Sequence, residues 1–139
     1  MTIIFSHAVV RQMWAHVKHT LPEECCGFLL GETKEMQYVK KVIRAKNIAK
    51  ASRETKFEID SREFMKVEKM AKSADLNIIG IYHSHPNGRA EPSNFDVEVA
   101  WPSYSYVILS VLQSKPFNIL SWVLNEDRRG FNPEELVVL

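Results

Sequence analysis

His83 and His85 flank a single serine, and Ser93 and Asp96 follow them, giving the spacing His-x-His-x7-Ser-x2-Asp. The histidine pair closes an apolar run, Ile78-Ile79-Gly80-Ile81-Tyr82, that reads as a buried strand. On a strand, residues i and i+2 point to one face, so both imidazoles reach one metal ion while Ser84 points away. Asp96 returns to the same place after a turn-rich loop containing Pro86, Asn87, Gly88 and Pro92. Two histidines and a carboxylate make three protein ligands. A tetrahedral zinc ion held by three leaves its fourth position to water, the arrangement of a catalytic site and not of a closed structural one.

A His-x-His pair alone is a weak signal, because such pairs often do no more than decorate a strand. Ser93-x-x-Asp96 alone fits a helix N-cap with an acid in the first turn. A helix starting at Ser93 would also hold Asp96 rigidly. The combination of strand pair, turn and capped carboxylate points to the metal.

A third piece lies upstream in Pro22-Glu23-Glu24-Cys25-Cys26-Gly27-Phe28-Leu29-Leu30-Gly31, where a carboxylate enters an apolar strand directly after a proline. Together with the histidine motif, this segment resembles the JAMM (MPN-plus) metalloprotease family. That pattern has a glutamate three residues before a glycine and then, at a distance, His-x-His-x7-Ser-x2-Asp. Glu24-Cys25-Cys26-Gly27 fits the glutamate-glycine spacing, and Glu23 is one residue off. The resemblance covers about residue 3 to about residue 125. It implies that His83, His85 and Asp96 bind one Zn2+ per chain, that Glu24 is the general base and acid, and that Ser93 is the hydroxyl beside the oxyanion. It also implies an α/β fold, a single mixed sheet flanked by helices as in an α/β/α sandwich of the JAMM/MPN, cytidine-deaminase-like kind.

The family implies a substrate class as well. Many members cleave the isopeptide or peptide bond after the C-terminal diglycine of ubiquitin or a ubiquitin-like protein. Small stand-alone prokaryotic-looking members act on sulfur-carrier or modifier proteins of the same β-grasp shape. This chain resembles the small kind, with little room for long insertions. The loop Asn47 to Lys56 and the turn Pro86 to Arg89 are expected to flank the groove for an extended tail.

Three other readings share parts of the motif. Two histidines and a carboxylate also form the facial triad of non-heme iron oxygenases. A nucleoside-deaminase zinc site needs His-x-Glu and Pro-Cys-x-x-Cys, and neither is present. A non-catalytic MPN-type scaffold module tends to lack the metal ligands, all of which are here.

Composition sets the frame. A length of 139 residues is ordinary for one domain, and 45% hydrophobic residues suffice for a core. With 18 basic and 17 acidic residues the net charge is +1, so no basic field is expected to hold nucleic acid. No apolar stretch approaches the roughly 20 residues needed to cross a bilayer. The start Met1-Thr2-Ile3-Ile4-Phe5 lacks the basic and apolar regions of a signal peptide, and a cytoplasmic location is expected. Cys25 and Cys26 are adjacent, so on a strand they face opposite ways and read as reduced packing residues.

The positioning elements follow from periodicity and caps. Ser6 is expected to cap a helix to about His19, with Val9, Val10, Met13, Trp14 and Val17 inward. His16 and His19 then fall on a solvated face. Strands are expected at 26–30, 37–43, 57–59, 78–82, 104–112 and 117–124, with a last edge strand at 136–139. Asp60 is expected to cap a second helix with Phe64, Val67, Met70 and Ala71 inward. The sequence leaves the oligomeric state undetermined.

Overall fold

A computed structural model describes residues 1–139. The chain runs β1 (Thr2–Phe5), α1 (His7–Thr20), β2 (Cys26–Thr33), β3 (Gln37–Ala45), α2 (Ser61–Ser73), β4 (Asn77–His85), α3 (Asn94–Val99), β5 (Ser105–Leu112), β6 (Lys115–Leu124) and β7 (Phe131–Val138). The fold is mixed α/β on one mixed sheet, in the order β1-β3-β2-β4-β5-β6-β7. β1 pairs parallel with both β3 and β7, and β4 pairs parallel with β5. The remaining neighbours are antiparallel.

The single mixed sheet is as expected, but it is a closed barrel and not a helix-flanked sandwich, because β1 joins β3 to β7. The segment expected to be an exposed edge strand is longer than expected and pairs on both sides, so closure removes the edge. β1 itself escaped the sequence reading. Its burial alternates over only four residues, too short a run to register as a strand by pattern.

The helices begin where the caps require. The Ser6 side chain accepts from Val9 N–H, and Asp60 accepts from Arg62 N–H. Val9, Met13 and Val17 of α1 bury against Ile3, Phe5, Leu29, Tyr82, Val107 and Leu109. Val67 and Ala71 of α2 bury with Phe28, Leu30, Ile81 and Tyr106 in a second cluster. Met70 was expected inward and is 42% exposed. Neighbouring residues divide between the two clusters, Leu29 and Cys25 in one and Leu30 and Cys26 in the other, as strand alternation demands. Both cysteines are free and buried.

One irregularity sets the face of the histidines. Leu29 pairs with Gly80 and Leu30 with Ile78, so Ile79 is an extra residue in β4. That bulge shifts the alternation. Ile79 joins the α1-side cluster, Ile81 the α2-side cluster, and Tyr82 the α1 side again. His83 and His85 therefore emerge on the α2 side at the end of β4. No helix is long and apolar enough to cross a membrane.

Candidate metal centre

Three ligand atoms converge beyond β4. His83 Nε2 and His85 Nε2 are 3.2 Å apart. Asp96 Oδ2 lies 3.2 Å from His85 Nε2 and 3.3 Å from His83 Nε2. A regular tetrahedron has edges of about 1.63 times its centre-to-corner distance. Zinc ligands at about 2.0–2.1 Å would thus stand about 3.3–3.4 Å from one another. The triangle formed by the two histidines and Asp96 has the size of one tetrahedral face.

Hydrogen bonding gives the same reading. His85 Nδ1 lies 2.6 Å from the Arg89 carbonyl oxygen, which can only accept, so Nδ1 carries a proton. In neutral His85 the lone pair on Nε2 then faces the Asp96 carboxylate. A proton shared between His85 and Asp96, or a cation, relieves that contact. In the metal-free site burial opposes the proton, but hydrogen bonds to Asp96 and to the Arg89 carbonyl outweigh it, and the His85 pKa rises. His83 goes the other way, because burial lowers its pKa despite Asp96. Burial also works against the charge of Asp96, yet the two histidines and the Ser93 N–H hold its pKa well below the carboxylate range.

Asp96 is held by the helix that the sequence anticipated. Ser93 Oγ accepts from Asp96 N–H at 3.0 Å, and Asp96 Oδ2 accepts from Ser93 N–H at 2.8 Å. This reciprocal capping box fixes the carboxylate from both directions.

Glu24 sits at the head of β2, buried to 3% exposure. One oxygen of Glu24 and the two histidines have ligand atoms within 4.8 Å of one another. Its Oε1 has no hydrogen-bond partner. Burial pushes its pKa up to about 8, which His85 opposes and Asp96 reinforces. A carboxyl group so poised takes and returns protons near neutral pH. Gly27 has a steric reason: a Cβ there would meet the Tyr82 ring and lie 2.6 Å from the Ile43 carbonyl oxygen. The structure thus brings Glu24, His83, His85, Ser93 and Asp96 to one place.

Sequence reasoning missed three supports. Phe57 stacks on the His83 ring with centroids 4.5 Å apart. Residues 57–59 form no strand, because Glu58 N–H goes to the Asn47 side chain instead of a ladder. Ser84 Oγ accepts from Cys25 N–H at 2.9 Å, and Ser84 N–H donates to the Cys25 carbonyl at 3.1 Å. This tie joins the strand carrying the histidines to the segment carrying Glu24. His16, expected on a solvated face, is buried, with Nδ1 2.7 Å from the Tyr82 hydroxyl.

A largely apolar trench of about 1030 Å³ adjoins the centre. Phe57 and Phe95, neighbours in sequence or space of His83 and Asp96, line it with Ile81, Trp101, Tyr104 and Tyr106. One wall comes from Ala49, Lys50, Ala51 and Lys56, and none of Glu24, His83, His85, Ser93 or Asp96 lines the trench itself. The Pro86 to Arg89 turn does not line it, and the other wall is α3 with the segment after it.

Buried His83 and half-buried His85 at the end of β4, with Asp96 capped on α3, form a donor set that could hold a metal ion. The family described as prokaryotic homologs of the JAB domain matches residues 6–125, and the chain belongs to it. A desampylase from Haloferax volcanii is 36% identical over 90 residues, covering 64% of this chain and 63% of that protein. A CysO-cysteine peptidase from Mycobacterium tuberculosis is 34% identical over 103 residues, 73% of this chain and 68% of that one. The match thus spans slightly under two thirds of the desampylase's length. A solution structure of a protein from Desulfitobacterium hafniense superposes with a TM-score of 0.86 at 30% identity, over 100% of this chain and 93% of that one.

Proposed function

We propose that residues 1–139 act as one domain, a zinc-dependent peptidase or isopeptidase. Its reaction is hydrolysis of the amide bond after the C-terminal diglycine of a ubiquitin-like or sulfur-carrier protein. The observation that carries the metal reading is the ligand triangle, with edges of 3.2, 3.2 and 3.3 Å, closed around a histidine whose lone pair faces a carboxylate. His83, His85 and Asp96 are the ligands in this reading. Glu24 is left out of the set because burial raises its proton affinity, as suits a base, whereas the two histidines and the Ser93 N–H favour the ionised form of Asp96. Zinc bound there would polarise the scissile carbonyl and acidify the attacking water.

The chain's own groups do the rest. Glu24, orphaned and buried, takes the proton of the attacking water and delivers it to the leaving amine. The Ser93 oxygen is occupied by Asp96 N–H, which leaves its own O–H free to donate to the developing oxyanion. The trench takes the tail in extended form, leading it toward the centre past Phe57, which both lines the trench and stacks on His83. The relatives named for desampylation and for CysO-cysteine cleavage support a β-grasp protein as partner. Two buried unpaired thiols favour a reducing cytoplasmic location.

Two measurements test the reading. Metal analysis is expected to find about one zinc per chain, with His83→Ala, His85→Ala and Asp96→Ala each losing most of it. Full zinc in the Asp96 variant, or iron with oxygen consumption, would remove the ligand set or the chemistry. A β-grasp protein with one residue added after its diglycine should be cleaved, and chelator should stop the reaction. Equal cleavage of a dialanine variant, or efficient cleavage of unrelated short peptides, would sink the substrate class.

A further inference from the structure

Glu24 is held in place by its main chain, and the holding comes from a loop that the mechanism has not used. Its N–H donates to the Arg53 carbonyl at 2.7 Å. Its carbonyl oxygen accepts from Asn47 Nδ2 at 3.1 Å. The same Nδ2 donates to the Lys56 carbonyl at 2.9 Å. Asn47 Oδ1 accepts from Ala49 N–H at 3.1 Å and from Glu58 N–H at 3.2 Å. A primary amide has two N–H donors and two acceptor sites. All four are used here, and only one orientation of the amide satisfies two carbonyls and two N–H groups at once. Asn47 is buried, and its bonds to the Glu24 carbonyl and the Ala49 N–H are buried with it.

The four bonds have a common consequence. Asn47 ties both ends of the 48–58 loop to each other and ties the loop to Glu24. The loop then delivers Phe57, which stacks on His83, and Lys56 with Ala49, Lys50 and Ala51, which wall the trench. One side chain therefore links the main chain of the base, a ligand's stacking partner and the trench wall.

We infer that Asn47 is a positioning residue that sets Glu24 against the two histidines and Asp96 by clamping the Glu24 carbonyl to the 48–58 loop. This rests on the hydrolase reading above. Asn47 makes no hydrogen bond to a proposed ligand and bonds directly to the Glu24 carbonyl, so its loss acts first on the base. A displacement of about 1 Å at a reacting group can lower a rate about 100-fold.

The experiment uses full-length Asn47→Ala and Asn47→Asp. The aspartate keeps the size of the side chain but turns oxygen toward the Glu24 and Lys56 carbonyls. It also serves if the alanine variant fails to fold. Thr55→Ala is the control, because Thr55 Oγ1 bonds only within the loop, to the Ser52 carbonyl. With the diglycine fusion as substrate, both Asn47 variants are expected to lose about 10- to 100-fold in kcat. KM should stay within about threefold and zinc content at the wild-type ratio, and Thr55→Ala should match the wild type. Amide hydrogen exchange on metal-free protein gives a second readout. Glu24, Ala49 and Glu58 should lose protection in the variants while Phe28 to Leu30 keep theirs. An Asn47 variant that melts earlier but keeps its kcat, or one whose Glu24 amide stays protected, overturns the inference. If the wild type itself does not hydrolyse the fusion, the hydrolase reading falls, and the exchange pattern alone decides the clamp.

Discussion

Glu24, just before β2, and Glu134, in β7, are both buried carboxyl groups, 3% and 7% exposed. Their surroundings are opposite. Glu134 Oε1 accepts from Ser105 Oγ at 2.7 Å and from Ser121 Oγ at 2.8 Å, and Oε2 accepts from Gln37 Nε2 at 3.3 Å. Gln37 Nε2 also donates to Ser105 Oγ at 3.0 Å. These side chains come from β3, β5, β6 and β7, so one satisfied carboxyl ties four strands together near the closure. Glu24 has an orphaned oxygen, and its proton affinity is raised by burial. A satisfied buried carboxyl rigidifies, whereas an unsatisfied one costs stability and is held where its reactivity is used. The two glutamates can be told apart by what their removal damages.

The largest effect is expected at the orphan. Glu24→Gln keeps shape and removes the base, so turnover should fall about 10²- to 10⁴-fold with zinc and fold retained. Glu23→Gln, one residue away, should be nearly silent. A dead Glu23 variant with an active Glu24 variant would move the base by one residue and end the comparison as drawn. Ser93→Ala comes next. Losing an oxyanion donor can cost about 10²- to 10³-fold in kcat with little change in KM. Because Ser93 also caps α3, about 1 kcal/mol of stability should go with it. Steady-state kinetics beside thermal melts separate the two roles: unchanged turnover discards the first, an unchanged melt the second.

Glu134→Ala is the mirror experiment. It leaves Ser105 and Ser121 without their acceptor and Gln37 with only Ser105 Oγ; each buried orphan costs about 1–3 kcal/mol, so a loss of roughly 2–4 kcal/mol is expected after relaxation. Urea unfolding should show it, while kcat/KM of the folded protein stays at the wild-type value. A Glu134 variant that melts normally but works poorly would mean that the closure network reaches the site.

The sequence carried the centre better than the frame around it. The histidine pair, Ser93 and Asp96 were legible because strand alternation and a capping box are local rules, satisfied within a few residues. Ser6 and Asp60 were legible as caps for the same reason. Closure was not, since it depends on Thr2–Phe5 pairing with Glu135–Val138 across nearly the whole chain. The face on which the histidines emerge depends on the bulge at Ile79, and a run of Ile-Ile-Gly-Ile does not mark which residue is extra. Residues 57–59 read as a strand because Phe57 and Ile59 alternate with Glu58. Their backbone is instead held by Asn47, and a lone asparagine after a strand carries no signal of its four bonds. His16 read as solvated with His19 because nothing acidic accompanies the pair, and only the fold puts the Tyr82 hydroxyl beside it.

His16 sharpens the comparison on histidines as Glu134 does on carboxyls. His83 is buried with Nδ1 orphaned, whereas His16 is buried with Nδ1 paired to the Tyr82 hydroxyl at 2.7 Å. The two rings belong to opposite sides of β4, since Tyr82 and His83 are successive strand residues. Burial, with the Arg44 and His19 charges, lowers the His16 pKa from 6.5 to about 4. The ring is neutral in the fold, and the unfolded chain takes up its proton first as pH falls. Between about pH 6.5 and about 4 the unfolded state binds more protons, so stability declines with falling pH through that window and is fully present above it. His16→Gln offers Tyr82 an amide oxygen and cannot titrate. The stability of metal-free wild type should fall by roughly 1–2 kcal/mol more than that of His16→Gln between pH 6.5 and 4, at about 1.4 kcal/mol per unit of pKa separation less what relaxation recovers. Chemical unfolding at several pH values in chelator measures the difference, since His83, His85 and Asp96 titrate alike in both proteins. Parallel curves would place a proton on the folded His16 ring and remove the contrast with His83.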